Sequence, residues 1–164
     1  MGQAFPHRGG GERGLGDSVS SAAPALVLIA ELTAEVGEPI TIEGTVNGTR
    51  RLIPILGGEV RGPGLQGKTL RGKVLPGGAD YQTIRSDGVI DLHARYVIQL
   101  EDGGLVYVEN SGFRHGPPDA VYFCTSARFE CAAGPHEWLT KHIFVGQGIR
   151  HPDSVEIRFF QVMA

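Results

Sequence analysis

Four groups able to take, give or hold a proton fall close together in the chain: Asp80, Asp91, His93 and Arg95. Two carboxylates in different surroundings can divide general-acid and general-base work, because the more desolvated one keeps its proton longer. His93 stands two residues from both Asp91 and Arg95, so an extended strand puts all three on one face. Its imidazole titrates near neutrality without help, and Arg95 can grip a carboxylate or enolate with two parallel N–H bonds. The chemistry this permits is cofactor-independent proton transfer on a small molecule: isomerisation, cyclisation or elimination, with Arg95 or Lys141 stabilising the developing negative charge. Tyr81, Arg85, Tyr122, Glu130, Trp138 and Lys141 add rings and charges that could bind the ligand. Each group also has a plainer use. Asp80 can cap its turn by accepting backbone N–H bonds, and Asp91 can sit solvated on a strand. Arg95 can pair with Asp91 or Glu130, and His93 can be an exposed strand histidine.

The segment that must position these groups is Val74-Leu75-Pro76-Gly77-Gly78-Ala79-Asp80-Tyr81-Gln82, followed by Arg85-Ser86-Asp87-Gly88. A chain that only reverses direction needs fewer glycines and no such polar cluster. Beyond it, short apolar or alternating runs separated by Gly, Pro, Asn and Asp predict strands over 25–32, 40–46, 51–60, 70–75, 89–100, 105–110, 120–129, 137–144 and 155–162. Asn47-Gly48, Glu101-Asp102-Gly103-Gly104 and His115-Gly116-Pro117-Pro118 predict hairpin turns. No long window holds a 3.6-residue apolar period, although 134–140 has room for one helical turn. About nine short strands with short connections predict an antiparallel barrel or sandwich. In 89–99 one face carries Ile90, Leu92, Ala94, Tyr96 and Ile98; the other carries Asp91, His93 and Arg95, facing either water or a polar-lined cavity.

Composition narrows the function classes. A chain of 164 residues can bury an ordinary core as one domain over 24–164. A net charge of −3, with 15 scattered Lys and Arg, gives no basic stripe for nucleic acid. Residues 1–23 are rich in Gly and Ser and read as a disordered tail. With no apolar run of signal or membrane-spanning length, the expectation is a soluble cytoplasmic protein, with self-association left open. The spacing of the 6 histidines and 2 cysteines fits no metal motif, Cys124 and Cys131 read as free thiols, and no cofactor is expected. Gly77-Gly78 leads into a strand, so it lacks the helix dipole of a phosphate loop.

Motifs spaced along nearly the whole body carry a family resemblance. They are Pro54-Ile55-x-Gly57-Gly58, Gly62-Pro63-x-Leu65-x-Gly67, Val74 to Asp80, Arg85-x-Asp87-Gly88, Ala94-Arg95-Tyr96, Asp102-Gly103, Phe129-Glu130, Trp138-Leu139 and Phe144-Val145-Gly146-x-Gly148. In this order the chain resembles the bacterial and fungal family named only as domain of unknown function 3237. The resemblance implies a single closed antiparallel β-barrel of about 8–10 strands, calycin-like or allene-oxide-cyclase-like. It also implies a small-molecule-binding scaffold with no settled reaction. The family tends to carry Trp where this chain has Tyr81, and an arginine where it has Cys124. A missing cation at Cys124 implies a different or less anionic ligand. Two functions stay open: an acid/base enzyme acting on a small aromatic or polyketide-like metabolite, and a carrier whose polar groups only orient a ligand.

Overall fold

The computed structural model describes residues 22–164, and the reading of a disordered tail falls almost wholly outside them. Ten strands follow one another: β1 (Ala25–Val36), β2 (Ile40–Thr45), β3 (Gly48–Leu65), β4 (Lys68–Val74), β5 (Ala79–Ile84), β6 (Ile90–Leu100), β7 (Leu105–His115), β8 (Tyr122–Cys131), β9 (Phe144–Arg150) and β10 (Ser154–Met163). One 3₁₀ turn, Glu137–Thr140, stands between β8 and β9. Every pairing is antiparallel.

Closure comes from β1, which pairs with β10 on one side and with the second half of β3 on the other. The long β3 meets β5 over Thr49–Pro54 and β4 over Glu59–Leu65, so β4 and β5 together occupy one stave between β3 and β6. The result is a closed eight-stave antiparallel barrel, with β2 pairing along β3 as an exposed hairpin extension. A closed barrel leaves no sheet edge around its wall. The β2–β3 hairpin falls at Asn47-Gly48 as expected, with Val46 and Asn47 in the turn and Gly48, at φ +112°, opening β3 opposite Thr45.

Period-2 alternation sends one face of each strand inward. Ile29, Leu32, Val60, Leu70, Ile98, Leu100, Val108, Phe144 and Phe159 pack a continuous aliphatic and aromatic core. Phe129 meets Phe144 and Phe159 edge-on, with ring centres 5.0 and 5.5 Å away, a favoured aromatic geometry. Leu139 of the 3₁₀ turn is buried in the same cluster, so this end of the barrel is plugged. The opposite end, where β3, β6 and β8 begin and β7 and β9 finish, is where polar side chains turn inward.

Three element expectations need correction. Residues 79–84 form a strand of their own rather than the tail of a turn. Residues 137–140 form a 3₁₀ turn rather than the start of a strand, and the strand runs instead over Phe144–Arg150. The runs expected at 51–60 and 105–110 extend to Gly48–Leu65 and Leu105–His115.

Candidate active site at the open end of the barrel

The double glycine has a geometric cause. Gly77 sits at φ +107°, a conformation that favours glycine. A Cβ on Gly78 would lie 2.4 Å from the Arg95 carbonyl oxygen and 2.7 Å from Tyr96 Cβ. Ile55 N–H donates to the Gly78 carbonyl at 2.8 Å, and Leu75 N–H to that of Val97, also at 2.8 Å. The turn therefore delivers β5 tightly against β6, opposite Ala94, and aims Asp80 into the barrel beside Tyr96.

Asp80 is held by its neighbours. Its Oδ1 accepts the backbone N–H of His93 at 3.0 Å, and its Oδ2 accepts the side-chain amide of Gln82 at 2.7 Å. The Gln82 oxygen in turn accepts from Arg51, at 3.0 Å from Nε, and this fixes which end of the amide faces Asp80. Burial raises the Asp80 carboxyl above the usual range, against the opposing pull of Gln82, the His93 N–H, Arg114 and Arg51. A carboxylate in that position is a stronger base than an ordinary one and holds a proton nearer neutrality. Beside it, Tyr96 is 5% exposed, and among the described residues its hydroxyl has no hydrogen-bond partner. Burial first, and the Asp80 charge second, push the phenol up, so it stays protonated and serves as a donor.

Asp80, Gln82, Tyr96, Arg114 and Arg150 line a small inner cavity of about 50 Å³, walled by Leu32, Ile53, Leu92, Phe123 and Ile157. Arg114 and Arg150 also line a larger recess of about 690 Å³ at the rim, with Ile90, Pro118, Val121 and Ile149 among its apolar walls. The guanidinium of Arg114 lies 5.8 Å from the centre of the Phe123 ring, within cation–π reach. Arg150 donates to the Ser154 carbonyl at 2.9 Å. Burial and mutual repulsion with Arg51 lower both arginines from their ordinary values, while the Asp80 charge draws them back up.

Of the sequence-predicted residues, only Asp80 enters this cavity. Asp91, His93 and Arg95 lie on the outer face of β6, because Ile90, Leu92, Ala94 and Tyr96 take the inward positions. His93 Nδ1 lies 3.0 Å from Ser111 Oγ. Arg95 Nε sits 4.0 Å from Glu109 rather than pairing with Asp91 or Glu130. Tyr81 is exposed, Arg85 pairs with exposed Asp87 at 2.6 Å, and Tyr122 stacks on His115 at 4.9 Å outside the wall. Glu130 is exposed on β8. Trp138 belongs to the plugged end, and Lys141 just beyond it pairs with Glu137 at 3.0 Å. Cys124 lines an outer groove with Phe113 and Tyr122, so the missing cation there does not bear on the inner cavity. Cys124 and Cys131 are free and lie on opposite faces of β8. Among the described residues no cluster of His, Cys, Asp and Glu could hold a metal, and no helix is long and apolar enough to cross a membrane.

The sequence reading missed Arg51, Gln82, Tyr96 as a polar group, Arg114 and Arg150. A usable signal existed: each continues a period-2 inward run, as in Val106, Val108, Asn110, Gly112 and Arg114.

Comparison with known proteins places this barrel. The UPF0311 protein blr7842 of Bradyrhizobium diazoefficiens is 44% identical over 146 residues, covering 80% of this chain and 92% of that protein. The crystal structure of RPA1785 from Rhodopseudomonas palustris, described as a conserved protein of unknown function, superposes with a TM-score of 0.81 at 39% identity, covering 87% of this chain and 100% of that one. A protein from Acinetobacter baumannii described as beta-barrel like (ABAYE2633) gives 0.79 at 26% identity, over 88% of this chain and 99% of that one. A protein described as an enzyme from Penicillium herquei gives 0.70 at 21% identity, over 86% and 96%, and shares the fold. The family model described as "Protein of unknown function (DUF3237)" matches residues 24–121 and 116–162, the whole barrel apart from its last residues, and the chain belongs to that family.

Proposed function

We propose that the open end of the barrel is the active site of a cofactor-independent acid/base enzyme, an isomerase, cyclase or lyase for a small aromatic or polyketide-like molecule. The observation that carries this reading is Asp80: a desolvated carboxyl held from two sides, facing the same small cavity as a buried phenol that has no partner among the described residues. Ionised Asp80 removes a proton from a C–H or O–H of the substrate. The electron pair left behind moves within the molecule and the proton returns to a different atom; in an elimination the pair forms a double bond as the C–O bond to the leaving group breaks, and the proton goes to that departing oxygen. No electrons leave the substrate, so no redox partner is needed. The Tyr96 hydroxyl donates to oxygen as negative charge gathers there, a kind of contact worth most in a dry site. The Penicillium herquei neighbour supports the reading at the level of fold, as a barrel of this shape described as an enzyme.

Proton exchange in D₂O tests the proposal. Aromatic ketones with acidic α-protons are incubated with the protein and followed by proton NMR. The wild type is expected to exchange them at least about 100-fold faster than Asp80→Asn, the ordinary worth of a positioned base. Binding of the same ketones with no acceleration in the wild type would instead make the barrel a carrier.

A further inference from the structure

Three guanidinium groups gather at the open end, from β3, β7 and β9: Arg51, Arg114 and Arg150. Among the described residues none of them lies within 4.0 Å of a carboxylate, whereas Arg85, Arg95 and Arg158 all do. The acid facing the same inner cavity is Asp80, and its two oxygens are engaged by Gln82 and the His93 N–H. The rim adds Glu156, 3.2 Å from His151, and Asp153, whose charge acts on Arg150, but among the described residues neither lies within 4.0 Å of either arginine, and Arg158 lies 3.2 Å from Glu31. Partly buried cations normally find a counter-charge. Of these three, Arg51 is engaged with Gln82, and Arg114 and Arg150 are the pair that line both the inner cavity and the rim recess. A guanidinium presents five N–H donors in a fixed fork, and the protein acceptor engaged by Arg150 is one backbone carbonyl.

The two spaces differ in what they admit. The inner one, about 50 Å³, has room for little more than a single water, whose share of liquid volume is about 30 Å³. The outer one, about 690 Å³, falls within the ordinary range for small-ligand sites. We infer that the site takes a small molecule with one anionic oxygen head, a carboxylate or an ionised phenol or enol. The head lies between Arg114 and Arg150, and an apolar, flat body lies against Ile90, Pro118, Val121 and Ile149. This deepens the reading above and rests on it for the identity of the site, but it concerns recognition and not proton transfer.

Calorimetric titration of the full chain with three probes separates the two claims: 2-naphthoate, an ionised nitrophenol and neutral 2-naphthamide. At least one anion is expected to bind tenfold or more tighter than the amide, and which of the two it is identifies the head group. Arg114→Met and Arg150→Met should each remove most of that preference, with amide binding unchanged. Should either variant fold poorly, salt on the wild type serves: raising NaCl from about 50 to 500 mM should weaken the anion and spare the amide, because screening acts on charge. Equal affinity for amide and anions, or an anion preference indifferent to both arginines and to salt, would overturn the inference. A preference that stands while Asp80→Asn leaves proton exchange untouched would sink the catalytic reading and keep this one. Exchange without any anion preference would do the reverse.

Discussion

Burying Asp80 is costly for the fold, and the cost is measurable. Among the described residues the buried Tyr96 hydroxyl has no partner, so its proton can be given to a ligand oxygen. Tyr96→Phe should slow proton exchange by removing the hydroxyl that donates to the substrate oxygen, while the urea midpoint shows that the variant stays folded. The Asp80 carboxyl is raised by burial, so the folded state holds its proton more tightly than the unfolded chain does. Its contribution is then fully present below the ordinary aspartate value of 3.8 and is lost as pH climbs through the raised folded value. Asn cannot ionise, so the stability difference between wild type and Asp80→Asn should move in favour of the variant between about pH 3 and pH 7. Denaturation midpoints at the two pH values check this, and a constant difference would contradict it. Asp80 was legible in the sequence because two glycines and an acid exceed what a turn needs. Arg51, Arg114 and Arg150 were not, since a charge inside a strand pattern reads as solvated, and these three meet only once the barrel closes.

At the scale of elements, the least legible strands are the ones that build the site. In β5 the inward positions are Asp80 and Gln82, so no apolar alternation marks it, and the segment reads as the end of a turn. In β9, Gly146 and Gly148 look like loop residues. Their reason lies on the neighbouring strand: a Cβ on Gly148 would lie 2.6 Å from the Phe123 ring, and one on Gly146 would lie 2.2 Å from Thr125 Oγ1. The glycines let β8 side chains fill the volume that β9 side chains would take. Gly148→Ala should thus cost about 1–3 kcal/mol, as overpacking does, read as a lower denaturation midpoint. Because Phe123 walls the inner cavity, the same change should disturb ligand binding. The hairpins at Asn47-Gly48 and Glu101–Gly104 were legible for the opposite reason, their turn chemistry being local.

For the whole molecule, barrel closure decides which polar groups matter. Alternation on β6 left two choices, and the apolar face won the interior because Leu92, Tyr96 and Ile98 pack against the far wall while Asp91, His93 and Arg95 meet water. The barrel was legible, since regular short strands and a spaced set of family motifs both lead to it. Its polarity from end to end was not: one end is closed by Leu139, Phe144 and Phe159, and the other keeps a charged cup under an open rim. On the proposed reading, that asymmetry makes the cup the place where a small molecule meets a proton-carrying group. The measurement that tests this most directly is a crystal structure of the protein soaked with an acidic aromatic ligand such as 2-naphthoate. The ligand's oxygen head is expected between Arg114 and Arg150, directed at Asp80 and Tyr96. A ligand seated instead on the outer face of β6 at His93 and Arg95, or in the outer groove beside Cys124 and Phe113, with the cup empty, would contradict it.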